Sequence, residues 1–323
     1  VKFALSAPNA LKPLTLALSM SASVWAGHAL AMPQVMVSVL PQKYFVQEVM
    51  GEEANIHVMV QPGHSPATYE PTPKQMAEVA KAQIYFSVGV PFETVWLPKL
   101  AANFPEMRIV DTREGLTLRT LEAHNHHEED DHDHDHDHDH DHDHDHDHDQ
   151  KHAEEAHTGQ DPHIWTDPVG VQQQVKTIAQ ALSAQDPENQ QKYQQQAQAF
   201  IEELQQLDQE IAQSLQAYQG QAFMVFHPAW GYFADRYQLK QWPIEFEGKE
   251  PSARQLADII EAAKAENIKV IFVQQQFSQH LAQRIAKELQ AEVVTLDPLA
   301  SDYMQMMRDA SQAIARALAT RHE

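Results

Sequence analysis

The chain has 323 residues, 42% of them hydrophobic, and a formal charge of -23 at pH 7, which argues against nucleic acid and anionic membrane surfaces as partners. It contains no cysteine, so disulfide frameworks, thiolate zinc sites and iron–sulfur clusters are excluded, and any metal site must be made of imidazole and oxygen donors. Residues 128–149 hold thirteen of the acids and no base; the remainder is an ordinary acidic protein, long enough to bury one large core or two moderate ones.

At the N-terminus, Lys2 and Lys12 precede the apolar stretch 14–26, and Ala29-Leu30-Ala31 fits the small-x-small rule of a signal-peptidase site. Residues 1–31 are therefore expected to be a cleaved signal peptide, with Met32 opening a periplasmic mature chain. The stretch is short and serine-rich for a membrane span. With no cysteine beyond it, a lipid anchor is not expected.

From there, short β-branched runs alternate with helical stretches. Strands are expected at 35–40, 56–60, 84–88 and 108–110, with helices at 73–81 and 92–102 between them. This rhythm signals a parallel sheet with helices on its faces. Asp167-Pro168 caps a further helix. Asp186-Pro187 is a second such start, and Tyr193, Ala197, Phe200, Leu204, Leu207, Ile211, Leu215 and Tyr218 then recur at steps of three or four. That stripe predicts one uninterrupted helix of about thirty residues, roughly 45 Å long, either a strut joining two lobes or a helix packed on one sheet. The second half repeats the rhythm, with strands at 222–226, 269–273 and 292–296. Its helices are expected at 229–237, 252–265, 278–289 and 303–320, and Ser252 with Gln255 makes a capping box for one of them. The fold class is α/β: two lobes of parallel β-sheet flanked by helices, joined by one long rigid backbone helix. The expected divisions are a lobe over 32–186, the helix over 187–218 and a second lobe over 219–323.

Fourteen of the 21 histidines fall within 124–157. At 131–149, Asp and His alternate strictly, giving His132, His134, His136, His138, His140, His142, His144, His146 and His148. Nothing in that run is apolar, so it is expected to form a disordered loop. Its imidazoles suit borderline cations such as Zn²⁺, with modest affinity and poor selectivity. Of the others, His28 lies in the signal stretch and His322 at the terminus, while His57 inside a strand and His280 at a helix start read as structural. His64, His163 and His227 remain. His64 follows the second strand and His227 closes the strand 222–226, as Asp297 closes 292–296; ligands of open α/β sheets bind beyond the carboxyl ends of strands. Three imidazoles and one carboxylate can saturate a tetrahedral Zn²⁺.

The segments PGHSPATYEPTP at 62–73, SVGVPFETVWLPKL at 87–100, DPHIWTDP at 161–168, FHPAWGYFADRYQL at 226–239, EPSARQL at 250–256 and LDPLASDYMQMM at 296–307 resemble the periplasmic metal-binding proteins of zinc and manganese ABC importers (ZnuA/TroA type, cluster A-I). The resemblance implies a bilobed, monomeric receptor that holds one ion between its lobes and delivers it to a membrane permease. It places His163, His227 and Asp297 on ligand positions. The family's first ligand position is filled here by Ala67. His64, three residues earlier, is expected to supply that imidazole; the alternatives are three protein ligands plus water, or a donor from Glu70 or the 124–157 loop. Zinc receptors of the family tend to carry His at the third position and manganese receptors a carboxylate, so His227 points to Zn²⁺, with a manganese or mixed-metal receptor as the alternative. The Asp/His run is then an accessory low-affinity collector. In a competing reading it is the whole function, as metal storage. A catalytic zinc site has little support, since the chain has no HExxH and no GxSxG.

Overall fold

Alternating short strands and helices give a parallel sheet only if each crossover carries the chain back over one face. In a computed structural model describing residues 32–52, 54–121, 159–245, 250–277 and 279–320, this happens twice. The expected signal peptide and the histidines of the Asp/His run lie outside the described residues. The first sheet uses β1 (Val35–Val37), α1 (Leu40–Met50), β2 (Ile56–Val58), α2 (Pro73–Val79), β3 (Ile84–Ser87), α3 (Pro91–Asn103) and β4 (Arg108–Asp111). After α4 (Pro168–Gln185) and α5 (Gln190–Leu215), the second uses β5 (Ala222–Val225), α6 (Gly231–Arg236), β6 (Lys240–Pro243), α7 (Ala253–Ala265), β7 (Val270–Val273), α8 (Gln279–Leu289), β8 (Glu292–Thr295) and α9 (Tyr303–Ala319). Every pairing is parallel, and the strand orders β2-β1-β3-β4 and β6-β5-β7-β8 have the same form.

Two elements go beyond the sequence reading. The run 35–40 is not all strand: β1 stops at Val37, and Pro41 sits in the first turn of α1, which buries Gln42, Phe45, Val46, Val49 and Met50. Without α1, β1 and β2 could not lie parallel. The second is β6, an edge strand ending at Pro243, where a missing ladder donor is tolerated.

The long helix is present, with tighter 3-10 turns at Pro187–Asn189 and Gln216–Tyr218 flanking the α-helical 26 residues. Its buried stripe is the expected one from Tyr193 to Leu215 with Ile201 added; Tyr218 is half-buried and falls in the closing 3-10 turn, so the α-helix ends before it. Asp186 does not cap a backbone N–H; it accepts from Tyr193 Oη and Asn189 Nδ2, each at 2.7 Å. The helix is not a bare strut. It packs on α1, α4 and α9.

Strand alternation divides the second sheet's two faces. Phe223, Val225 and Phe272 join a core that continues through α9 and α5 into the first sheet. Met224, Phe226, Ile271 and Val273 face the other way, under α7 and α8. At the junction, Tyr303 meets Phe45 edge-on at 4.8 Å and lies 6.3 Å from Tyr44. No helix among the described residues is long and apolar enough to cross a membrane.

Candidate metal centre

The order β6-β5-β7-β8 changes direction between β5 and β7, and the crevice beyond their carboxyl ends is where such sheets bind ligands. Phe226-His227 leaves β5 at that point. Gln274 follows β7 there and donates to the His227 carbonyl at 3.3 Å. Phe277 stacks on the His227 ring, with centroids 4.7 Å apart and planes 18° apart. His163 arrives from the first half of the chain, one residue before the short turn Ile164–Thr166 that leads into α4. The two imidazole centroids are 5.2 Å apart, with planes at 76°.

Each ring is held from behind. His163 Nδ1 lies 2.7 Å from Asp161 Oδ1, and its backbone N–H donates to the same oxygen at 3.0 Å. His227 Nδ1 lies 3.4 Å from Glu245 Oε1. Both carboxylates are buried. A carboxylate on Nδ1 fixes the proton there and leaves Nε2 with its lone pair outward, as metal-binding imidazoles require. Burial lowers the pKa of His227, with Glu245 opposing it, so the ring stays neutral at neutral pH. Burial pushes Asp161 up, but His163 and Arg119 beside it outweigh that and hold the carboxyl below its usual range.

Asp161 is part of a larger junction. Arg119 donates to Asp161 Oδ2 at 3.2 Å and to Asp235 of α6 at 2.9 Å. Tyr232 Oη accepts from the Arg119 N–H and donates to the Asp161 carbonyl, both at 3.0 Å. This approach requires Gly231: a Cβ there would stand 2.1 Å from Arg119 Nη1 and 2.7 Å from Asp161 Oδ2. The segments carrying Arg119 and Asp161 also form a neck. Thr120 and Gln160 make an antiparallel bridge, and the Leu121 N–H donates to the Gly159 carbonyl at 2.5 Å. Leu121 and Gly159 are thus held together, Gly159 standing four residues before His163.

His64 and Asp297 stand apart from the histidine pair. Among the described residues, no three His, Asp or Glu side chains converge tightly enough to hold one ion. His64 is exposed, with Nδ1 3.3 Å from the Pro62 carbonyl and its ring edge-on to Tyr69 at 5.7 Å. Asp297 accepts from the Leu299 N–H at 3.0 Å and from Gln276 Nε2 at 3.3 Å. It lines a cleft of about 310 Å³ with Gln61, Pro62 and Gly63, the residues leading to His64. Trp165 Nε1 donates to the Pro298 carbonyl at 2.8 Å, tying the turn after His163 to the residue after Asp297. Ala67 is exposed, and Glu70 lies with His64 in an outer hollow. His57 faces Glu78 at 3.8 Å from within β2, and His280 lies in α8. Asp161, Glu245, Arg119 and Gly231 were not singled out from sequence. Asp161 alone had a local cue, two residues before His163.

The family described as "ZnuA: Zinc-uptake complex component A periplasmic" matches residues 35–317. The zinc-binding lipoprotein AdcA of Streptococcus pneumoniae (strain ATCC BAA-255 / R6) is 30% identical over 270 residues, covering 83% of this chain. The chain spans only 50% of that protein's length. The high-affinity zinc uptake system protein ZnuA of Bacillus subtilis (strain 168) is 30% identical over 269 residues, covering 82% of this chain and 78% of its own. Among solved structures, a crystal structure of ZnuA superposes with a TM-score of 0.76 at 37% identity, covering 88% of this chain and 98% of its own.

Proposed function

The chain belongs to the ZnuA family of zinc-uptake component A proteins, and from that premise we propose that it captures Zn²⁺ in the periplasm and hands it to the membrane permease of an ABC importer. The observation that carries this reading is the His163–His227 pair, 5.2 Å apart, each ring backed on Nδ1 by a buried carboxylate. Imidazole donors suit Zn²⁺ over Mn²⁺, which prefers oxygen. It is a binding role rather than an enzymatic one, and the relatives named above are zinc-binding or zinc-uptake proteins.

The proposed ligand set is His163, His227, His64 and Asp297. The cleft shared by Asp297 and Gln61-Pro62-Gly63 supports the last two, and His64 has to turn off Tyr69 to join them. The histidines 132–148 are proposed as a low-affinity collector. A tethered store helps only if it reaches the acceptor; the pairing of Thr120 with Gln160, three residues before His163, supports that reading. The test is a zinc titration, against a competing chelator, of the chain lacking residues 124–152. One tight ion should remain, and His227→Ala should abolish it. Absence of tight binding after the deletion would make the tract itself the site and overturn the receptor reading.

A further inference from the structure

The two carboxylates behind the histidine pair are not equivalent. Asp161 is met on one oxygen by His163 and on the other by Arg119 at 3.2 Å. Glu245 is equally buried, at 2% exposure, and is fixed by its own backbone N–H, which donates to the Phe226 carbonyl at 2.9 Å. Its Oε1 faces His227 Nδ1 at 3.4 Å, yet its Oε2 has no hydrogen-bond partner among the described residues. A buried carboxylate with an unmet oxygen is costly to the empty protein. A dication bound through the imidazole in front of it supplies the missing opposite charge.

We propose that Glu245 is a positioning residue for His227 and the built-in counter-charge of the bound ion, so that it raises metal affinity at the expense of the metal-free fold. This rests on the reading of His227 as a ligand. The carboxylate sets the Nδ1–H tautomer and makes Nε2 a stronger donor, the arrangement whose loss typically weakens metal affinity about 10- to 100-fold. A residue present only for packing would not move affinity and metal-free stability in opposite directions.

The test compares Glu245→Gln, Glu245→Ala and His227→Ala in the full chain lacking residues 124–152, using chelator-competed zinc titration, melting of the metal-free protein and ¹⁵N NMR of the His227 ring. Gln can still accept the Nδ1 proton but carries no charge. The expected result for Glu245→Gln is an affinity about 10- to 100-fold weaker, with the metal-free protein melting higher than the parent. Glu245→Ala should in addition lose the Nδ1–H signature. Parental affinity in Glu245→Gln, or a loss accompanied by metal-free melting at or below the parent's, would overturn the proposal. Parental affinity in His227→Ala would instead overturn the ligand assignment beneath it.

Discussion

The proton on each ring of the pair is assigned by what lies behind it, and that determines how the centre answers to pH. Zinc and protons compete for the same imidazole lone pair. Burial lowers the pKa of His227 below its ordinary value, so if it is a ligand as proposed, its protonation competes only below the usual imidazole range. Apparent zinc affinity of the chain lacking 124–152 should drop between pH 7 and 5 as the proposed imidazole ligands protonate; a flat profile down to pH 5 would remove imidazole from the ligand set. His163 and His227 could be found in the sequence because each follows a recognisable boundary, a proline-led turn or the end of a strand. Asp161 and Glu245 could not be given roles in that way. Their importance lies in burial and in a contact on Nδ1, and Glu245 is brought to His227 from eighteen residues away by the unanticipated β6.

The sequence carried most elements but not the joins between them. The stripe of α5 and the capping box of α7 are periodic or positional signals and were visible. By contrast, α1 was hidden because its opening residues continue an apolar run, so that a strand ending and a helix beginning look alike until packing separates them. The junction at the start of α6 depends on a void rather than on a side chain, which no periodicity reports. Gly231→Ala should force Arg119 away from Asp161, costing about 1–3 kcal/mol as overpacking does and loosening His163. Urea unfolding and the zinc titration should both register the change. If neither moves, Arg119 has room to relocate and Asp161 holds His163 unaided.

Across the whole molecule, the first sheet, α5, α9 and one face of the second sheet share a single apolar core. Lobes joined in this way should unfold together. Calorimetry is expected to give one transition with matching calorimetric and van't Hoff enthalpies, shifted upward by zinc, by about 2.7 kcal/mol at a hundredfold excess over Kd; two separable transitions would show that α5 links independent bodies. The neck at Thr120 and Gln160 has a different consequence. Thr120 and Gln160 are paired with each other across the residues between them. The closure entropy of an intervening loop grows only logarithmically, about 0.6 kcal/mol per doubling of length. Removing or adding Asp-His repeats should therefore cost the fold little, and urea unfolding of chains with shortened and lengthened repeats is expected to give stabilities within about 1 kcal/mol of one another.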